Sequence, residues 1–270
     1  HGERSARRRL ADGLRAAQRG EHANALKLLN RAARRARFRV PALVTAVASA
    51  RALGDEAAEQ RALASLEAED AEAARQARAA ALLEQGNSGA ALALLQAAAE
   101  PPAPALRLLR MRAALTEAEA SAALADLRAL KAAGVGLPDA LEVEVHCALL
   151  RHAPDLQALQ LRLAELPRAQ RSQVPIAAAF SARARSFDAA ALADDAVEQA
   201  LRKQWDEALV ADYGRAAQGN QRERIRTAEG WLQAHPDSAA LQLALGRLCR
   251  IDGLWGKAEA HLLRASQGRF

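Results

Sequence analysis

Apolar residues recur every three or four positions along this chain, and short turn-forming clusters interrupt them at nearly regular intervals. That spacing gathers the apolar side chains on one face of an α-helix. The pattern is cleanest near the C-terminal end, where Leu245-Gly246, Cys249, Gly253, Trp255, Ala258, Leu262 and Ala265 describe two helices around a glycine turn. A small residue midway along the first helix marks a close crossing, and alanine, a large apolar residue and alanine form the buried stripe of the second. Gly13, Gly20, Ala25, Leu29 and Ala32 repeat this arrangement at the start. Thirty-four residues on come Gly54, Leu63 and Leu66, with Glu59 standing where the small residue belongs; thirty-two further come Gly86, Ala91, Leu95 and Ala98. Pro101-Pro102 then stop the helix.

A helix–turn–helix unit recurring at about thirty-four residues is similar to a tetratricopeptide repeat. The expected fold is therefore all-α: a tetratricopeptide-like helical-hairpin solenoid, a right-handed superhelix of about eight helix pairs, forming a single domain over residues 1–270. Residues 6–39, 40–71, 72–104 and 239–270 carry the clearest repeats, and 105–238 a degenerate middle. There, Leu106–Ala133 reads as two helices ending at Gly134-Val135-Gly136, and Pro138–Leu166 as a pair broken near Pro154. Val174–Arg202 reads as a pair around Ser186-Phe187-Asp188, and Trp205–His235 as a unit with Gly219-Asn220 for its turn. Composition agrees, since aromatic residues make up only 3% and alanine, leucine, arginine and glutamate dominate, leaving little to fill a pleated sheet.

The formal charge of +6 is unevenly spread. Residues 1–40 hold twelve Lys/Arg against Glu3, Asp12 and Glu21, so the first segment is strongly basic and the remainder mildly acidic. Read alone, the run Arg4, Arg7, Arg8, Arg9, Arg15, Arg19, Lys27, Arg31, Arg34, Arg35, Arg37 and Arg39 admits three meanings: a solvated helix face, a contact with anionic lipid, or phosphate binding. Only Phe38 lies nearby to stack on a base, which counts against single-stranded nucleic acid. Cys147 and Cys249 are the only cysteines and stand far apart, which favours a reducing compartment over a disulfide framework. Val40–Ala50 is the longest apolar run and is too short to span a bilayer. The chain does not open on methionine, so a fragment or processed form is expected.

Catalytic chemistry finds little footing. Gly134-Val135-Gly136 lacks the third glycine and the preceding strand of a dinucleotide loop, and reads better as a helix end. His146-Cys147 is the one adjacent pair of soft ligands, yet Val143, Val145, Ala148 and Leu149 surround it, as around a packed thiol and a half-buried imidazole. His22, His152, His235 and His261 have no cysteine or carboxylate at ligand spacing. The acidic runs Glu67-Ala68-Glu69-Asp70-Ala71-Glu72 and Glu117-Ala118-Glu119 suit solvated helix starts. The expectation is a protein with no catalytic residue, no metal and no cofactor.

Several segments together resemble HemY proteins. They are Ala6-Arg7-Arg8-Arg9-Leu10, Gln18-Arg19-Gly20-Glu21 and Leu28-Leu29; Val40-Pro41 and Ala50-Arg51-Ala52-Leu53-Gly54-Asp55; Trp205-Asp206-Glu207-Ala208-Leu209-Val210 and Tyr213-Gly214; His235-Pro236-Asp237, Leu245-Gly246-Arg247-Leu248 and Gly253-Leu254-Trp255-Gly256-Lys257-Ala258. The resemblance implies two N-terminal membrane helices ahead of a tetratricopeptide region on the cytoplasmic face of the bacterial inner membrane. It also implies a link to haem and porphyrin biosynthesis, as a scaffold for the late enzymes. On that reading Arg4, Arg7, Arg8 and Arg9 lie against the anionic membrane surface, and nucleic acid is not a partner. A porphyrin carrier using His146 or Cys147, and a generic adaptor in envelope assembly, are the alternatives. A flavin-dependent oxidase shares the family name, but its glycine motif is missing here.

In tetratricopeptide solenoids the first helices line the concave, partner-binding groove. Their groove offsets fall on Arg7, Leu10 and Leu14 in the first repeat and on Val44, Ala48 and Arg51 in the second. In the last they fall on Leu243, Arg247, Arg250 and Ile251. Arg51, Arg247 and Arg250 are expected to pair with carboxylates of a protein partner or with porphyrin propionates, because the planar guanidinium grips a carboxylate with two hydrogen bonds.

Overall fold

The computed structural model describes residues 2–97, 102–116 and 118–267. The expected end of the third repeat at Ala98 and Pro101, and the start of the acidic run at Glu117, lie outside them. Among the described residues every regular element is a helix. Packing divides the chain into two units, His1–Gly136 and Leu137–Phe270.

The first unit holds α1 (Gly2–Gln18), α2 (His22–Ala32), α3 (Ala36–Ala52), α4 (Glu56–Glu69), α5 (Ala71–Glu84), α6 (Ser88–Gln96), α7 (Pro104–Thr116) and α8 (Ala120–Ala132). Consecutive helices form antiparallel hairpins. The first members α1, α3, α5 and α7 pack side by side as one layer, and the second members fill the spaces behind them. Ala16, Ala25, Leu29, Ala46, Val47 and Leu66 are closed from solvent in the core that joins the first two hairpins.

The second unit holds α9 (Asp139–Arg151), α10 (Leu156–Glu165), the single turn α11 (Arg168–Arg171), α12 (Val174–Ser186), α13 (Ala190–Lys203), α14 (Glu207–Arg215), α15 (Gln221–Trp231), α16 (Ala239–Ile251) and α17 (Trp255–Gln267). Four of its rings cluster: the Trp205 ring stacks on His235 at 3.6 Å and meets the edge of Trp231 at 5.8 Å, and Tyr213 lies 5.1 Å from Trp231.

Local chemistry accounts for the helix ends. Asp55, Asp70, Asn87, Asp155, Asp206, Asn220 and Ser238 each accept a hydrogen bond from the backbone N–H three residues on, satisfying a donor the helix itself cannot. At the hairpin turns one backbone device recurs. A residue with positive φ follows the first helix, and the next N–H reaches back to the carbonyl five residues earlier: Glu21 to Ala16, Asp55 to Ala50, Asn87 to Leu82, Glu119 to Ala114, Ala189 to Ala184 and Leu254 to Cys249. Glycine fills the left-handed position at 20, 54, 86 and 253, but Ala118 (φ 61°) and Asp188 (φ 57°) fill it in the middle of the chain. In the degenerate middle the α7–α8 and α12–α13 hairpins therefore keep the turn without its glycine.

The small residue expected at the helix crossing is also seen. A Cβ added at Gly13 would come within 2.9 Å of Leu29 Cδ2, and one at Gly246 within 2.7 Å of Leu262 Cδ2. The first and last hairpins thus cross at the same offsets. The fold is a tetratricopeptide-type stack of helical hairpins, built here from the chain's own packing.

Candidate partner-binding faces

In the first unit α3 buries Ala42, Leu43, Ala46, Val47, Ser49 and Ala50. The opposite stripe is left open: Val44 keeps 39% of its surface in water and Ala48 is exposed. On α1, Leu14 is likewise exposed. These are the positions that the groove offsets select.

Arg51 departs from expectation. Its Nε and Nη2 both donate to Glu59 Oε1, at 2.9 and 2.8 Å, and its Nη1 donates to Glu84 at 3.0 Å. The fork is spent inside the chain, tying α3 to its own partner α4 and to the next first helix α5. The same contact explains Glu59. A carboxylate can replace the usual small residue at that crossing because Arg51 arrives to neutralise it, and both side chains are more than four-fifths buried. Arg51 is thus a positioning residue, and it reaches a foreign carboxylate only by releasing one of these two.

In the second unit α16 buries Ala240, Leu241, Ala244, Leu245, Leu248 and Cys249. Leu243 and Arg247 are half-buried on its open side, and Arg250 and Ile251 are exposed. No carboxylate among the described residues pairs with Arg247 or Arg250, and Arg247 Nη1 is shielded from water without an acceptor. Next to α16 lies α14, packed so closely that a Cβ on Gly214 would enter the Ala244 backbone. Ser238 Oγ donates to Glu207 at 2.5 Å, which sets the two helix starts side by side, so the helices run parallel.

The main polar node of this unit escaped the sequence analysis. Arg224 is 1% exposed, the largest of the fully buried side chains. Its Nη1 donates to the carbonyls of Ala216 (2.5 Å) and Gln218 (3.3 Å), and its Nη2 donates to the carbonyl of Tyr213. One guanidinium thus takes carbonyls at the end of α14. Asp194 balances the charge: its Oδ1 lies 3.3 Å from Arg224 Nε and accepts from Arg185 Nη2 at 2.7 Å. Burial pulls the Arg224 pKa down and Asp194 opposes that shift. Tyr213 donates to Glu198 at 2.9 Å. Burial, reinforced by the Glu198 charge, raises the phenol's pKa, and burial also raises that of Glu198 against the phenol's hydrogen bond. The available sequence signal was phase, because Arg224 adjoins Ile225 and precedes Ala228 in the buried stripe of α15.

At the N-terminal end the antiparallel α1–α2 hairpin folds the basic segment back on itself. Arg4, Arg7, Arg8 and Arg9 sit on the first half of α1, while Arg31, Arg34, Arg35 and Arg37 occupy the end of α2 and the start of α3, and all eight are exposed. The Arg35 guanidinium lies against Gly2 at the head of α1, so both groups share one pole of the hairpin. Glu3 is the acid in the first turn of α1 at that pole, while Asp12 lies further along near Arg8 and Arg15, and Glu21 pairs with Arg19 at the opposite turn.

Cys147 lines an apolar cleft of about 530 Å³ between α9 and α12, together with Ala140, Val143, Val174 and Pro175. Burial raises its thiol pKa, which disfavours the thiolate form that ligates metals. His146 is half-buried, 3.8 Å from Glu142. No group of three or more His, Cys, Asp and Glu able to hold a metal ion occurs among the described residues, and no helix among them is long and apolar enough to cross a membrane.

Neither a family model nor a curated protein matches this chain. Among solved structures, the chain is similar to the crystal structure of the P58(IPK) TPR domain, at 15% identity and a TM-score of 0.28, over 98% of this chain and 93% of the other. At that score the likeness carries no weight for function.

Proposed function

We propose that this chain is a non-catalytic protein-interaction scaffold, whose first helices present aliphatic side chains flanked by arginines to a protein partner. The observation that carries the reading is the open stripe on those helices: Leu14 and Val44 in the first unit, and Leu243, Arg247, Arg250 and Ile251 in the second. Apolar contact supplies area, and unpaired arginines select carboxylates. Following the HemY resemblance, the proposed partners are late enzymes of haem biosynthesis, assembled at the cytoplasmic face of the bacterial inner membrane. The basic pole of α1 and α2 would face anionic lipid there. Changing Arg4, Arg7, Arg8 and Arg9 to Glu should abolish co-sedimentation with phosphatidylglycerol vesicles; unchanged sedimentation would remove the membrane part of the proposal.

The decisive experiment immobilises the protein, passes a proteobacterial extract over it and quantifies late haem-pathway enzymes. Capture that is lost in Val44→Asp, or in the pair Arg247→Glu and Arg250→Glu, supports the scaffold and its faces. Capture by neither wild type nor variants rejects the enzyme-scaffold reading. The rival carrier reading has one observation in its favour, the cleft beside Cys147. It requires a Soret shift on porphyrin titration that weakens in Cys147→Ala.

A further inference from the structure

Arg185 stands three residues before its turn residue Asp188, the offset that Arg250 holds from Gly253 and Arg51 from Gly54. It falls within the degenerate middle, where repeat boundaries are hard to see. Its Nη2 is committed to Asp194, while its Nη1 is shielded from water with no acceptor. Arg247 Nη1 is in the same condition. Charged N–H groups buried without an acceptor are costly, so turning either guanidinium outward to meet a ligand carboxylate is favourable.

Both arginines lie towards the C-terminal end of α14. Arg185 lines a cleft of about 250 Å³ between α12 and α14, with Ala178, Ala182 and Leu209 on its apolar side and Ala216 and Gln218 past the end of α14. Because α16 runs parallel to α14 with Ala244 against Gly214, Arg247 lies one turn further on, beside that same end of α14. Arg224 already donates to the carbonyls of Tyr213, Ala216 and Gln218 there. Asp212 and Arg215 also line the cleft and pair with each other, so the Asp212 charge is already balanced.

We propose that this face of the second unit binds an acidic peptide segment of a partner protein. One of its carboxylates meets Arg185, another meets Arg247, and an apolar residue between them enters the cleft. The proposal rests on the scaffold reading and gives one of its faces a ligand chemistry. Charge complementarity selects the occupant: among the described residues Arg247 and Arg250 meet no carboxylate, and Ala178, Ala182, Val197 and Leu209 give the cleft between α12 and α14 an apolar wall.

The test uses the full chain and a fluorescein-labelled peptide of alternating glutamate and leucine, with a glutamine-for-glutamate peptide as control, read by anisotropy. The glutamate peptide should bind at least about tenfold tighter than its control, a difference of the size that one charge-assisted hydrogen bond supplies. Arg247→Gln should weaken it about tenfold, and so should Ala182→Glu, which sets a carboxylate at an exposed cleft position without touching the core. Circular dichroism checks that both variants fold. Equal binding of the two peptides, or binding indifferent to both substitutions, overturns the site. If Val44→Asp releases the peptide and Arg247→Gln does not, the site falls while the scaffold stands. If the glutamate peptide does not bind at all, the site also falls, and enzyme capture from the extract decides the scaffold separately.

Discussion

The guanidinium of Arg224 lies 4.5 Å above the ring of Tyr213 and, through Nη2, holds the same residue's carbonyl. One side chain therefore packs the aromatic ring, caps the helix that carries it and, with Asp194, closes a buried ion pair. Removing it strands several groups together. Arg224→Met should destabilise the second unit by about 3 kcal/mol, the cost of breaking a buried pair that Arg185 partly rescues. Arg224→Lys should lose nearly as much, since a single ammonium cannot reach carbonyls on three residues. Urea unfolding followed by far-ultraviolet circular dichroism measures both; a loss under about 1 kcal/mol in either would mean that the node is decorative.

The three close-packed glycines should not behave alike. At Gly214 an added methyl meets the backbone of Ala244, which cannot move without separating α14 from α16. At Gly13 it meets Cδ2 and Cγ of Leu29, side-chain atoms that can shift within the core without moving a helix backbone. Gly214→Ala is expected to cost about 3 kcal/mol and Gly13→Ala about 1 kcal/mol. Thermal melts of the two variants give the order, and the reverse order would contradict the packing described.

Ala118 holds a left-handed backbone conformation that its Cβ disfavours, and its side chain is exposed. Ala118→Gly relieves the clash and removes no buried contact. A gain of about 1 kcal/mol in the denaturation free energy is expected, even though glycine normally destabilises by entering helices. A loss of stability would show that the turn is not strained.

His261 is buried in α17, with Nδ1 2.8 Å from Gln242 Oε1. Burial, followed by the charge of Arg264 and opposed by Glu229, lowers its pKa. The folded state thus resists a proton that the unfolded chain accepts as pH falls through about 6.5. Stability is complete above that range and declines below it, down to the folded pKa, at no more than about 1.4 kcal/mol per pH unit. His261→Asn keeps a donor for Gln242 and removes the titration, so its stability curve should be flatter between about pH 7 and pH 5. Identical slopes in the two proteins would assign the acid sensitivity elsewhere.

Much of this architecture is legible in the sequence where a residue type is forced. Gly20, Gly54, Gly86 and Gly253 sit at left-handed turns, and the alanines at 25, 91 and 258 are closed into helix crossings at the expected offsets. Legibility fades where another solution meets the same demand. Ala118 and Asp188 adopt the glycine conformation, and Glu59 fills an alanine position because Arg51 comes to it. That Val44, Leu243, Arg247 and Arg250 lie off the buried faces of α3 and α16 follows from helical phase. Which arginines are already spent does not, since Arg51 meets Glu84 across thirty-three positions of sequence. Arg224 was hidden by its type, because a charged residue in an apolar stripe reads as a surface residue until its carbonyl partners are placed around it. The single turn α11 after Pro167 is too short for periodicity to register.

The cluster of Trp205, Trp231 and Tyr213 has an optical consequence. The chain has three tryptophans and one tyrosine, and all four belong to the second unit, because the third tryptophan is Trp255. Its tryptophan and tyrosine emission therefore originates in residues 137–270, whereas peptide-bond dichroism samples both units. Following the two signals together through one unfolding titration would reveal whether the halves melt as one body or in succession, with no label attached.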